Sequence, residues 1–226
     1  ESACEGLWLD EAVKAIRKAI DAIGATEDTC FIFTTDHPTA GKGSCHLGRI
    51  PLIMFWPHHL EGGGTLSHLL SETDLAPTIL ELAGCNVPPD MRLDGHSFAG
   101  LLQPHITSWT PRSNVLMENV NSRAVIQDGY KYIANRLPGR NAMESELCGR
   151  TGWLAEQIGE HDGIWWNLDL LFPAYFDEDQ LYNIEMDPME QHNLASDPKN
   201  RTLLHSMQMT LSQELRKLPH PFGEFS

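Results

Sequence analysis

Apolar positions along this chain follow two different spacings. Between residues 2 and 24, Leu9, Val13, Ile16, Ile20 and Ile23 recur at steps of three and four, which predicts an amphipathic helix stopped by Gly24. Cys30-Phe31-Ile32-Phe33-Thr34-Thr35 and Ile50-Pro51-Leu52-Ile53-Met54-Phe55-Trp56 are instead continuous runs, the pattern of strands covered on both faces in a parallel sheet. Residues 74 to 84 return to helical spacing. Asp74 stands at the cap, Pro77 lies in the first turn, Leu75, Ile79 and Leu82 form one face, and Gly84 marks the stop.

Beyond residue 111 the pattern shortens. Residues 115–118, 123–127 and 130–134 are strand candidates, and Asp128-Gly129 between the last two is a strong hairpin signal. Residues 135–180 are irregular, with Trp153, Trp165 and Trp166, and read as a packed surface loop at a cleft mouth. Leu181-Tyr182-Asn183-Ile184 is a further strand. Asp197-Pro198 opens a terminal helix with Leu204, Met207, Leu211 and Leu215 on one face. The predicted class is α/β, with part of a mixed, mostly parallel sheet flanked by helices over residues 1–115. A small α+β subdomain with a short antiparallel sheet and a terminal helix follows over residues 116–226.

Composition narrows the function classes. A formal charge of −15, from 16 basic and 31 acidic residues, excludes non-specific nucleic-acid binding. It also repels an anionic substrate at long range, so local cations would have to offset it. No run is long and apolar enough to span a membrane. Residue 1 is Glu, and the chain is expected to begin inside a longer product. Five cysteines leave an odd one, and none forms a C-x-x-C pair, so neither a zinc site nor a disulfide framework is indicated.

Candidate chemistry lies where the first apolar run ends. Asp36 and His37 follow it directly, and Lys42 stands between Gly41 and Gly43 ahead of Ser44. In open α/β sheets ligands bind outside the carboxyl ends of the strands. A carboxylate oxygen and an imidazole nitrogen suit one cation, and a lysine ammonium suits a tetrahedral oxyanion. Together, metal and lysine would neutralise an anionic ester and stabilise charge developing on it. The same three residues also fit a plain reading as a helix cap, a packed ring and a solvated amine.

Several stretches, in order, resemble the sulfatase family of the alkaline-phosphatase superfamily. Thr34-Thr35-Asp36-His37 is similar to its metal-binding strand end, and Gly41-Lys42-Gly43-Ser44-Cys45 to its sulfate-binding lysine loop. Arg49-Ile50-Pro51-Leu52-Ile53 with Trp56-Pro57 resembles the strand that follows, and residues 74–84 its scaffold helix. Leu181-Tyr182-Asn183-Ile184, Asp187-Pro188, Glu190, Asn193-Leu194 and Asp197-Pro198 resemble its C-terminal strand and helix entry. The resemblance implies a sulfuric-ester hydrolase in which Asp36 and His37 ligate Ca²⁺, ahead of Mg²⁺, Zn²⁺ or Mn²⁺. It makes Lys42 both a catalytic and a substrate-binding residue. His46 is a candidate proton donor facing the sulfate, against a bland reading as a surface-loop histidine, and His96 reads as structural.

The departures from the family pattern are specific. Its nucleophile is a formylglycine made from the Cys or Ser of a C/S-x-P-S/A-R motif, and no such motif occurs here. The formylglycine is therefore expected upstream, and residues 1–226 alone are expected to be inactive. Pro38 replaces a usual Gly, and His46-Leu47-Gly48-Arg49 replaces a longer Glu-Gly-Gly turn. The implied partner is a small-molecule or carbohydrate sulfate ester, in a secreted, lysosomal or periplasmic setting. Rival readings are a phosphatase, phosphodiesterase or phosphonate hydrolase of the same superfamily, and a non-catalytic binding protein that keeps the fold.

Overall fold

The computed structural model describes residues 2–37, 45–60, 62–88, 90–103, 109–119, 122–136, 171–220 and 222–225. Lys42 with its flanking glycines, Pro38 and the three tryptophans of the irregular stretch lie outside these residues. The chain divides into two compact units, Glu1–Thr35 with Pro51–Pro111 and Asp36–Ile50 with Arg112–Ser226. This grouping differs from the sequence-derived halves 1–115 and 116–226 in assigning Asp36–Ile50 to the second unit.

In the first unit, α1 (Ser2–Ala22) ends as expected before Gly24, whose φ of 69° is the left-handed stop. Its apolar stripe is largely uncovered: Leu9, Ile16 and Ile23 are exposed, and Trp8 is 81% exposed. Arg17 lies with its guanidinium 4.2 Å from the centre of the Phe55 ring. β1 (Phe31–Thr34) and β2 (Leu52–Phe55) pair antiparallel, with Phe31 opposite Phe55 and Thr34 opposite Leu52. This corrects the parallel, doubly covered strands expected for this region. Among the described residues no helix lies between the two strands in the chain. In β2, Ile53 and Phe55 are exposed, in alternation with half-buried Leu52 and Met54.

α2 (Leu75–Leu82) follows a single 3₁₀ turn at Glu72–Asp74. Gly84, at φ 67°, ends it with Cys85 N–H donating to Leu80 O at 2.9 Å. The buried residues of this segment are Asp74, Pro77 and Thr78, whereas Ile79 is exposed. Asp74 has no side-chain bond to the first turn of α2. Its carboxylate accepts from Ser71 N–H at 2.9 Å and from His96 N–H at 2.7 Å. Thr78 Oγ1 accepts from Phe98 N–H at 3.0 Å, next to α3 (Ala99–Leu102). The 95–98 turn is thus tied to α2 by polar contacts, and His96 is held through its backbone. Asp74→Ala would leave two backbone donors without acceptors and is expected to cost about 1–3 kcal/mol. A lowered urea midpoint, with a smaller drop for Asp74→Asn, checks this.

The second unit is a four-stranded antiparallel meander in the order β3 (Val115–Asn119), β4 (Ser122–Gln127), β5 (Tyr130–Asn135) and β6 (Asp179–Asn183). Asp128 and Gly129, at φ 50° and 75°, make the two-residue hairpin that their sequence predicts. α4 (Arg201–Leu215) is preceded by a 3₁₀ turn that Asp197 caps through Lys199 N–H at 3.0 Å. Alternate residues serve opposite sheet faces. Val125, Tyr132 and Leu181 pack with Met207, Leu211 and Leu215 of α4. Their neighbours Ala124, Ile133 and Tyr182 pack with Cys45 on the other face.

Candidate active-site residues and their supports

Asp36 and His37 follow β1 after a single residue, Thr35. The Asp36 side chain is 84% exposed, and His37 Nε2 lies 3.7 Å from its Oδ1. A hard oxygen and an imidazole nitrogen are therefore near one another at an open position, a donor pair that suits part of a divalent ion's shell. Among the described residues no group of three or more His, Cys, Asp or Glu side chains is placed to hold a metal. Two donors by themselves do not complete the shell of such an ion.

His46 lies in an aromatic environment rather than on a surface loop. It is buried, with its ring stacked on Phe172 at 4.2 Å and edge-on to Tyr182 at 6.1 Å. Its Nε2 lies 2.8 Å from Gln180 Oε1, which also accepts from the Tyr182 hydroxyl at 2.8 Å. With Gln180 so oriented, Nε2 carries the hydrogen and donates. Burial, reinforced by the charge of Lys131 and opposed by the Gln180 bond, pushes the imidazole pKa down to about 3. The neutral ring is enclosed by aromatic side chains, which corrects the reading of His46 as a surface-loop histidine.

The turn around His46 is sharply bent. Leu47 and Gly48 are both left-handed, at φ 58° and 44°, and Gly48 N–H donates to His46 O at 2.7 Å. The left-handed backbone favours glycine at position 48, where a Cβ would press on the movable end of the Met117 side chain. Cys45 Sγ accepts from Ser122 Oγ at 3.3 Å, and burial raises its thiol pKa. Cys45 is thus a protonated core thiol with no features of an activated nucleophile.

Behind this turn sits a buried ion pair that the sequence reading did not single out. Lys131 Nζ meets Glu190 Oε1 at 2.8 Å, and the two side chains are 1% and 2% exposed. Glu190 Oε2 accepts from Leu47 N–H at 3.1 Å. Burial lowers the Lys131 pKa, while the Glu190 carboxylate opposes the shift. Glu190 is itself left-handed, at φ 55°, in a turn where Asp187 accepts from Gln191 and His192 N–H groups. One signal was available: a lysine on the strand Tyr130–Asn135, among residues that face the core, calls for an anion from elsewhere in the fold.

The family profile "N-sulphoglucosamine sulphohydrolase, C-terminal" matches residues 46–127. An "Ulvan-active sulfatase" of Formosa agariphila is 30% identical over 203 residues, covering 84% of this chain and 38% of that protein. Human "Arylsulfatase A" is 36% identical over 208 residues, covering 82% of this chain and 37% of its own length. A solved structure titled as a complex with its substrate D-glucosamine-2-N,6-O-disulfate superposes with a TM-score of 0.65 at 17% identity. That superposition covers 96% of this chain and 40% of the other. The chain therefore spans less than two-fifths of the length of these curated relatives.

Proposed function

The chain belongs to the sulfatase family, and from that premise we propose that it is the C-terminal part of a sulfuric-ester hydrolase. Asp36 and His37 are proposed as ligands of a divalent cation, Ca²⁺ first, and Lys42 as the residue that binds the sulfate and offsets its charge. The observation that carries the reading is the open carboxylate–imidazole pair one residue beyond β1, within a chain similar to sulfatases over more than four-fifths of its length. When bound, the cation would supply Lewis-acid stabilisation of charge on the sulfate oxygens. Lys42 would add a compact positive charge in a protein whose net charge of −15 otherwise repels the substrate. The nucleophile is proposed to be a formylglycine outside residues 1–226, and this segment alone is proposed to be inactive. Sulfated sugars lead among the candidate substrates, because a sulfated glucosamine occupies the structural relative described above.

Full-length protein should hydrolyse an aryl or sugar sulfate, lose activity on chelation and regain it with Ca²⁺. Lys42→Ala should lower kcat/KM by about a hundredfold, the size expected when one electrostatic partner of the developing charge is removed. The isolated 226-residue chain should show no turnover. Preferential hydrolysis of phosphate or phosphonate esters with two bound zinc ions would overturn the sulfatase reading. A C/S-x-P-S/A-R motif missing from the full-length sequence, together with no turnover, would instead favour a binding protein.

A further inference from the structure

Residues 222–225 belong to neither the sheet nor α4, yet they bury two rings in the core those elements share. Gly223–Phe225 is a single 3₁₀ turn. Phe222 and Phe225 are 9% and 6% exposed, whereas Gly223 and Glu224 between them face solvent. Both rings pack in the cluster of Val125, Tyr132, Met207 and Leu211. Each also carries a guanidinium, Arg123 at 4.6 Å from the centre of Phe222 and Arg136 at 5.3 Å from that of Phe225. Aromatic anchors three residues apart, with polar groups between them left in water, are how short peptides hold to protein grooves. The connection to α4 is slight. Arg216, Lys217, Pro219 and His220 are exposed and lie outside any helix or strand.

Glu224 links this turn to the sheet. Its carboxylate accepts from both Nε and Nη2 of Arg136. Nη1 of the same guanidinium donates to Asn135 O at 3.0 Å and to Glu178 O at 2.7 Å. Glu178 O also accepts from Asn135 N–H at 2.8 Å. These carbonyls stand where β5 ends and β6 begins. We propose that residues 222–225 are a detachable intramolecular ligand, seated against the sheet and α4 by Phe222 and Phe225, whose docking holds Arg136 on the adjoining ends of β5 and β6. The covered surface fits a peptide with two phenylalanines three apart and an acid between them, supplied here by the chain itself.

The test uses full-length protein with a site-specific protease sequence inserted between Pro219 and His220. After cleavage, a fluorescent peptide of residues 220–226 should displace the severed segment. Peptides carrying Phe222→Ala or Phe225→Ala should bind about tenfold more weakly or worse, the scale of one buried ring. Glu224→Gln should change affinity much less, because that side chain is 61% exposed. Washing the segment out should quicken hydrogen exchange at the Asn135 amide by about tenfold, while the Leu211 amide within α4 stays slow, and added peptide should reverse the change. In uncleaved protein, Arg136→Lys should quicken the Asn135 amide alone, since an ammonium lacks the fork that reaches both carbonyls and Glu224. Cleaved protein that takes up no peptide and keeps parent exchange would overturn the proposal. Unfolding on release, or equal quickening at Asn135 and Leu211, would overturn it as well, since the segment would then be inseparable from the core.

Discussion

Glu190→Leu as a single substitution should cost about 3–5 kcal/mol of folding stability. The loss comes from what remains. The Lys131 ammonium is 1% exposed, and Glu190 is its ion-pair partner at 2.8 Å. Removing the carboxylate leaves an uncompensated charge in the core and takes the acceptor from Leu47 N–H. Burial already lowers the Lys131 pKa, and the carboxylate is what opposes the shift. In the variant the folded-state pKa should fall further below that of the unfolded chain. The unfolded state then binds more protons, so the variant's stability should rise with pH up to the ordinary lysine range near ~10.4. Urea midpoints at neutral and alkaline pH measure this rise, and adding Lys131→Met should restore most of the loss. A single variant as stable as the parent at neutral pH would mean that Lys131 reaches water or another anion.

Acidification should destabilise the protein through His46. Its pKa is about 3 in the folded state against an ordinary 6.5, chiefly because the ring is buried. Between those values the unfolded chain binds the extra proton and the folded chain does not. The contribution is therefore fully present above pH 6.5 and is lost as pH falls toward 3. The slope is about 1.4 kcal/mol per pH unit, so stability at pH 4.5 should lie about 2–3 kcal/mol below that at neutral pH from this group alone. His46→Gln keeps an amide donor for Gln180 and cannot titrate. Its urea midpoint should fall distinctly less over the same range, although it is lower at neutral pH for want of the stack on Phe172. Parallel pH profiles for parent and variant would place the imidazole in contact with solvent.

What can be read in the sequence follows the distance over which each feature is decided. The helices at Ser2–Ala22, Leu75–Leu82 and Arg201–Leu215 and the hairpin at Asp128-Gly129 depend on periodicity, stops and turn residues within a few positions. The family resemblance was legible in the same way, as short ordered motifs, and with it the adjacent pair Asp36 and His37. The direction of pairing between β1 and β2 was not legible, because a continuous apolar run marks a strand without naming its neighbour.

The chain by itself therefore determined its elements, their order and the residue types brought to the end of β1. Only the tertiary structure decided which polar groups lie inside. Glu190 is 59 positions from Lys131 and 143 from Leu47, and no local pattern couples them. A buried charge or imidazole is tolerated only when packing delivers a partner from a distant segment. His46, Gln180, Lys131 and Glu190 acquired their roles from that requirement, since each had a surface alternative until the sheet and its covering turns closed around it.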